Sequence, residues 1–177
     1  MIYVVRHGET DWNAQNKLQG KTDIPLNENG INSAKILMKE LEDVEFDFVF
    51  SSPLKRAKET CRIIINNNKA IVFDDRLVER NHGELEGKHK NEFDKHRLWS
   101  LTESSPYESV ETLDALRFRI YGFLDSLKTH KDKNILIVSH AGAIRIMTEY
   151  FKGKPSTNNL LEYTVENCEV LKFSWLC

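Results

Sequence analysis

No apolar run in this 177-residue chain approaches the roughly 20 residues that span a bilayer, and the first residues lack the basic, apolar, small-residue succession of a secretory signal. An excess of one charge is missing too. The 25 Lys and Arg stand against 27 Asp and Glu, so the formal net charge of -2 gives no general electrostatic case for nucleic acid or acidic membranes. Any basic site must be local. Cysteine is scarce: Cys61, Cys168 and Cys177 are odd in number and widely spaced, with no second thiol or histidine at a metal-ligand interval. They read as reduced bystanders in a cytosol. Repeats, low-complexity tracts and Gly/Ser/Pro linkers are absent, which leaves no seam for a second independent domain. The expectation is one soluble, cytoplasmic domain over residues 1–177, monomer or homodimer, long enough to bury roughly 70% of its unfolded surface.

What is there is an alternation of strand and helix patterns. Ile2 to Val5 is an apolar, β-branched run; Asn27 can cap a helix with Ile31, Ala34, Leu37, Met38 and Leu41 on one face; Phe46 to Ser52, "FDFVFSS", is strand-like again. Pro53 then opens a helix carrying Ala57, Cys61 and Ile64, Ala70 to Phe73 is a short strand, and a helix from about Ser109 to Leu127 precedes "NILIVSH" at Asn134 to His140. Apolar runs without alternation belong to strands covered on both faces. The predicted class is therefore α/β, a three-layer α/β/α arrangement around a mostly parallel sheet, with the alternating tail Glu169 to Trp175 as an edge strand.

Open sheets of this class bind ligands at the carboxyl ends of their strands. Three predicted strands end in polar residues: Arg6-His7-Gly8, Ser51-Ser52-Pro53 followed by Arg56, and Ser139-His140-Ala141-Gly142. As parallel neighbours they would gather two arginines and two histidines at one rim, where Gly8 and Gly142 would let backbone N–H groups approach an anion such as phosphate. Glu79 sits in the loop after a further strand. Each residue alone has a plainer reading as a surface ion pair or a strand-end hydrogen bond. Their common placement favours a site.

The motifs "VVRHGETDWN", "SSPLKRAKET", "LVERNHGELEG", "ESVE" and "VSHAGAIR", in this order, resemble the histidine phosphatase superfamily, which has the phosphoglycerate mutase-like fold. The resemblance covers nearly the whole chain. It implies that His7 is a nucleophile that becomes phosphorylated, that Arg6, Arg56 and His140 bind the phosphoryl group, and that Glu79 is the general acid. It also implies substrate contacts at Asn13 and Gln19, with Arg80 and Ala141 beside them, and a short cap over the pocket at about residues 82–107. Neutral imidazole suits His7, while His140 is better placed as a cation. Arginines would replace the metal usual in phosphoryl transfer, so neither metal nor cofactor is expected. The implied activity is hydrolysis of a small phosphomonoester through phosphohistidine, of α-ribazole phosphatase or broad-specificity type. A cofactor-dependent phosphoglycerate mutase is the alternative, and a non-catalytic phosphate-binding module a distant third.

Other features read more plainly. His82, His89 and His96 recur every seven residues, but in a charged segment that predicts exposed side chains. Phe93, Trp99 and Tyr107 either line the leaving group or pack the cap onto the sheet. Ser109, with Glu111 in the first turn, is expected to cap the long helix.

Overall fold

The computed structural model describes residues 1–175, so Cys177 lies outside the described residues. The chain runs β1 (Ile2–Arg6), α1 (Asp11–Ala14), α2 (Glu28–Glu40), β2 (Phe48–Ser51), α3 (Lys55–Ile64), β3 (Val72–Phe73), α4 (Lys95–Trp99), α5 (Leu113–Ser126), β4 (Ile135–Ser139), α6 (Ala141–Lys152) and β5 (Val170–Phe173). The strands form one sheet in the order β3-β2-β4-β1-β5, parallel throughout except β5, which pairs antiparallel on the outer side of β1.

Side chains of a strand alternate between faces, and here both faces are apolar. In β4, Ile135 and Ile137 join a core with Leu116, Ile120 and Phe123 of α5 and Ala143, Ile144 and Met147 of α6. Leu136 and Val138 join the opposite core with Leu37 of α2 and Ala57, Cys61 and Ile64 of α3. β1 divides in the same way, Ile2 and Val4 to one side and Val5 to the other. This is the expected three-layer arrangement. Asn27 caps α2 as predicted, its side chain accepting the Gly30 N–H at 2.9 Å.

The local boundaries differ in instructive ways. α3 begins at Lys55, not Pro53, after an extended Leu54. β3 keeps only Val72 and Phe73, which are 51% and 41% exposed, because it lies on the sheet edge and is not covered on both faces. α5 starts at Leu113, with Thr112 rather than Ser109 as its cap; the Thr112 hydroxyl accepts the Ala115 N–H. Ser109 instead accepts the Glu84 N–H, and Glu111 is pulled out of helix geometry by Asn81 and Arg80, which bond its carboxylate and its carbonyl.

The chain leaves β1 through α2 on one face towards β2 and β3, then returns through α5 on the other face to β4, which sits between β1 and β2. The register pairs Arg6 with Ser139 and Ser51 with Val138. The residues just beyond these pairs therefore meet at one rim, in the crevice where strand order reverses.

Candidate active site

The crevice brings Arg6, His7, Arg56, Glu79 and His140 together, as the sequence predicts. The rings of His7 and His140 lie 5.1 Å apart, and both side chains are buried. His7 Nδ1 is 2.7 Å from the Gly8 carbonyl oxygen. A carbonyl only accepts, so Nδ1 carries the ring proton and Nε2 keeps its lone pair. Burial, reinforced by the guanidinium groups of Arg56 and then Arg6, pushes the His7 pKa well below the ordinary imidazole value. The result is a neutral imidazole with a fixed tautomer.

His140 departs from expectation. Its Nε2 bonds the Ser52 hydroxyl at 2.8 Å, and burial together with Arg56 and His7 holds its pKa well below the ordinary value too. In the free protein it is neutral, not cationic. The site's formal positive charge therefore comes from the arginines. Arg56 is fully buried, anchored through its two terminal nitrogens on the carbonyls of Thr22 and Gly20, with its pKa lowered to about 10 mainly by desolvation. Arg6 donates to the Val165 carbonyl at 2.8 Å. Four polar atoms here, Arg6 Nε, Arg56 Nε, Gln19 Oε1 and His140 Nδ1, are buried without a hydrogen-bond partner among the described residues. Such atoms are costly to bury unsatisfied, and donors beside an anion would not be.

The glycines act differently from expectation. The Gly8 N–H donates to Thr60 Oγ1, and the Gly142 N–H to Glu79 Oε2, so neither faces an anion. Both are required by close packing. A methyl group on Gly8 would lie 2.6 Å from the Gly30 carbonyl oxygen, and one on Gly142 would collide with the Glu79 carboxylate and sit 2.7 Å from the Trp99 ring. Glu79 itself is held by three backbone donors, Arg80 and Ala143 to Oε1 and Gly142 to Oε2, at the start of α6.

Beside these groups opens a cavity of about 260 Å³ lined by Asn13, Gln19, Glu79, Phe93, Trp99 and Ala141, among others. Asn13 has its Oδ1 engaged by the backbone and hydroxyl of Thr10, which leaves its amide N–H groups for a ligand. Ala141 opens α6, where the first N–H groups have no acceptor within the helix. Of the cap aromatics, Phe93 and Trp99 line this cavity; the Tyr107 hydroxyl accepts the Asp94 N–H outside it.

Two expectations fail here. Arg80 is not in the pocket. It is fully buried behind Trp99, its guanidinium 4.7 Å from that ring and bonded to the carbonyls of Glu111 and Leu98. The two neighbours point apart: the Glu79 carboxylate meets Gly142 and Ala143 at the start of α6, whereas the Arg80 guanidinium reaches the carbonyls of Glu111 and Leu98. His82 is not exposed but 2% accessible, packed edge-on against Trp99, and burial beside Arg80 lowers its pKa to about 3. Its neighbours in the heptad differ: His89 is half-buried and His96 exposed. Sequence reasoning also missed Ser52, Thr60 and Arg145, while Trp99, for which both roles are expected as alternatives, lines the cavity and packs into the core at once. The readable signal for Arg145 was a lone cation in the otherwise apolar "AGAIRIM".

Three buried neutral histidines make folding sensitive to acid. For His7, His82 and His140 the folded pKa lies below the unfolded value of about 6.5, so below that pH the unfolded chain takes up protons that the folded chain refuses. Stability is full above about pH 7 and falls as pH drops towards the folded values. Between pH 7 and 5.5 each histidine removes about 1 kcal/mol, roughly 3 to 4 kcal/mol together. Urea midpoints measured at the two pH values should drop accordingly; unchanged midpoints would mean that these rings are not neutral and buried.

Residues 2–176 match the family described as the histidine phosphatase superfamily (branch 1). The chain is 37% identical to the uncharacterized phosphatase PhoE of Bacillus subtilis (strain 168) over 98% of this chain and 90% of that protein. It is 32% identical to phosphoserine phosphatase 1 of Hydrogenobacter thermophilus over 82% of this chain and 73% of that one. Among solved structures, Bacillus stearothermophilus YhfR superposes with a TM-score of 0.85 at 30% identity, covering 96% of this chain and 88% of the other.

Proposed function

Since this chain belongs to the histidine phosphatase superfamily, we propose that it is a phosphomonoester hydrolase whose nucleophile is His7 Nε2. The observation that carries the assignment is the tautomer: Nδ1 is committed to the Gly8 carbonyl, so the second nitrogen is an unprotonated nucleophile on a ring that feels the charges of Arg56 and Arg6. In the first step the Nε2 lone pair forms a bond to phosphorus as the bond to the leaving oxygen breaks, and Glu79 gives that oxygen a proton. In the second, Glu79 takes a proton from water as the water oxygen attacks phosphorus, and the P–N electron pair returns to Nε2. Arg6 and Arg56 supply the charge stabilisation for the phosphoryl oxygens. His140, neutral when the site is free, is drawn towards its protonated form by the arriving dianion. Asn13, Gln19 and Ala141 complete the grip; Arg80 positions Trp99 and the backbone beside Glu79.

The same reading makes residues 1–177 one catalytic unit with a cap at about 82–107, acting in the cytoplasm as a monomer or homodimer on a small soluble substrate. Among the described residues no helix is long and apolar enough to cross a membrane, and no three His, Cys, Asp or Glu side chains gather as a metal site. The test is phosphate release from a panel of phosphomonoesters, with and without excess chelator and with a bisphosphorylated glycerate added to parallel samples. Hydrolysis should survive the chelator and yield to vanadate. Isomerisation of 3-phosphoglycerate faster than any hydrolysis would replace this reading with a mutase.

A further inference from the structure

Arg56 is held without a carboxylate partner among the described residues. Its terminal nitrogens end on the carbonyls of Thr22 at 2.9 Å and Gly20 at 2.7 Å. A guanidinium is a planar fork, so these two carbonyls fix the plane in which its remaining donors lie. The aim of Arg56 is therefore only as firm as the loop at residues 19–23.

That loop has little of its own to hold it. Its internal backbone bonds, Thr22 N–H to the Gln19 carbonyl and Ile24 N–H to the Thr22 carbonyl, are both 3.2 Å long. The better acceptors come from one distant side chain. Glu86 Oε1 accepts the Lys21 N–H at 2.9 Å and the His82 N–H at 3.1 Å, while Oε2 accepts the Thr22 N–H at 2.9 Å and the Thr22 hydroxyl. Hydrogen bonds to an ionised acceptor are stronger than neutral ones. The packing is close as well, since a methyl group on Gly20 would collide with the Glu86 carboxylate.

A carboxylate on the N–H groups of a turn is ordinary in itself: Glu162 accepts those of Ser156 and Thr157, six and five residues away. Glu86 differs in reach and in consequence. It spans 65 and 64 residues, from the cap segment to a loop whose carbonyls end on Arg56 and whose Gln19 lines the cavity. Burial lowers the Arg56 pKa, and the charges that oppose the fall are Glu79, then Asp23, then Glu86.

We propose that Glu86 is a positioning residue: its carboxylate fixes residues 20–22, their carbonyls fix the Arg56 fork, and it thereby sets the phosphoryl-binding geometry without touching the substrate. The inference rests on the hydrolase reading and adds a residue to the machinery of that site.

Glu86→Gln keeps the shape but turns an amide nitrogen towards N–H donors. It should lower kcat/KM by about 10- to 100-fold, the scale of a misplacement of about an ångström. The loss should be equal for an alkyl phosphate and p-nitrophenyl phosphate, because the phosphoryl grip, unlike proton donation, serves every leaving group. Glu86→Asp, which keeps the charge at shorter reach, should fall between. The decisive measurement is a double-mutant cycle with Arg56→Lys, which keeps charge and loses the fork. In that background Glu86→Gln should cost no more than about 2-fold further, the ordinary error of additivity. Losses that multiply in full would overturn the proposal, leaving Glu86 a general stabiliser of the loop; so would an unchanged kcat/KM, or a loss confined to the alkyl phosphate, which would make Glu86 an acid. Should Glu86→Gln not fold, Glu86→Asp carries the same cycle. If the wild type hydrolyses no phosphomonoester, calorimetric binding of orthophosphate still decides: weaker binding to Glu86→Gln would fault the hydrolase reading alone, and equal affinity would fault the positioning role.

Discussion

His7→Ala should lower phosphomonoester turnover by about 10⁴- to 10⁶-fold, the scale on which removing a covalent nucleophile acts, while the fold survives. The structural reason is that His7 contributes little else. Its ring makes one polar contact, to the neighbouring Gly8 carbonyl, and it is a buried neutral base that weakens the fold below about pH 6.5. The variant should therefore show a shallower loss of stability from pH 7 to 5.5 than the wild type. Rapid quench with labelled substrate should trap an acid-labile, base-stable phosphoprotein in the wild type and none in the variant. Label retained by His7→Ala would place the phosphoenzyme on another residue, and His140, whose Nδ1 has no hydrogen-bond partner among the described residues, would be examined next.

Glu79→Gln should cost about 10² to 10⁴ in rate for an alkyl phosphate, the usual worth of a positioned acid or base, or roughly 3 to 5 kcal/mol of barrier. p-Nitrophenyl phosphate, whose leaving group departs as a stable anion, should lose little in the phosphorylation step. If dephosphorylation limits turnover, both substrates should converge on one slow rate with phosphoenzyme accumulating. The structure adds a complication to this substitution. Both oxygens of Glu79 accept backbone N–H groups, so the amide nitrogen of glutamine must face a donor: Gly142, or Arg80 and Ala143. That mismatch should cost about 1 to 3 kcal/mol of stability, and rates must be compared at temperatures where both proteins are folded. The leaving-group dependence separates the two effects, since a merely destabilised site slows both substrates alike. A neutral outcome for every substrate would move the acid elsewhere, with Glu84 and Glu86 next in line.

The layers and the principal residues were legible because the sequence carries them in one dimension. A strand is a short apolar run, and the residues at its carboxyl end lie at the rim; Arg6, His7, Arg56 and His140 are placed that way with Glu79 in a following loop, and the family motifs add the role expected of each. What could not be read was direction and environment. Glu79 and Arg80 are adjacent and both charged, and only the backbone's path shows that one faces the crevice and the other supports Trp99 from behind. His82 lies in a charged segment, yet the short turn at Gly83–Leu85 tucks it beneath Trp99. The protonation state of His140 depended on burial and on the nearness of Arg56, which residue type does not disclose. Ser109 was a good capping residue in the wrong place, because Glu111 was already claimed by Asn81, Arg80 and Arg119.

The absent side chain at Gly142 has a consequence for reshaping this enzyme in the laboratory. Any β-carbon there would press on the Glu79 carboxylate and on the Trp99 ring at once. The carboxylate cannot swing aside without giving up three N–H donors, and Trp99 is 4% accessible with Arg80 packed against it. On the proposed mechanism, proton donation and the choice of leaving group are thus joined mechanically at one atom's width. A library that varies Gly142 to widen specificity would detune the proposed chemistry in the same stroke, whereas Phe93, Lys90 and Lys95, which line the cavity but make no hydrogen bond to the Glu79 carboxylate, offer evolvability without that penalty.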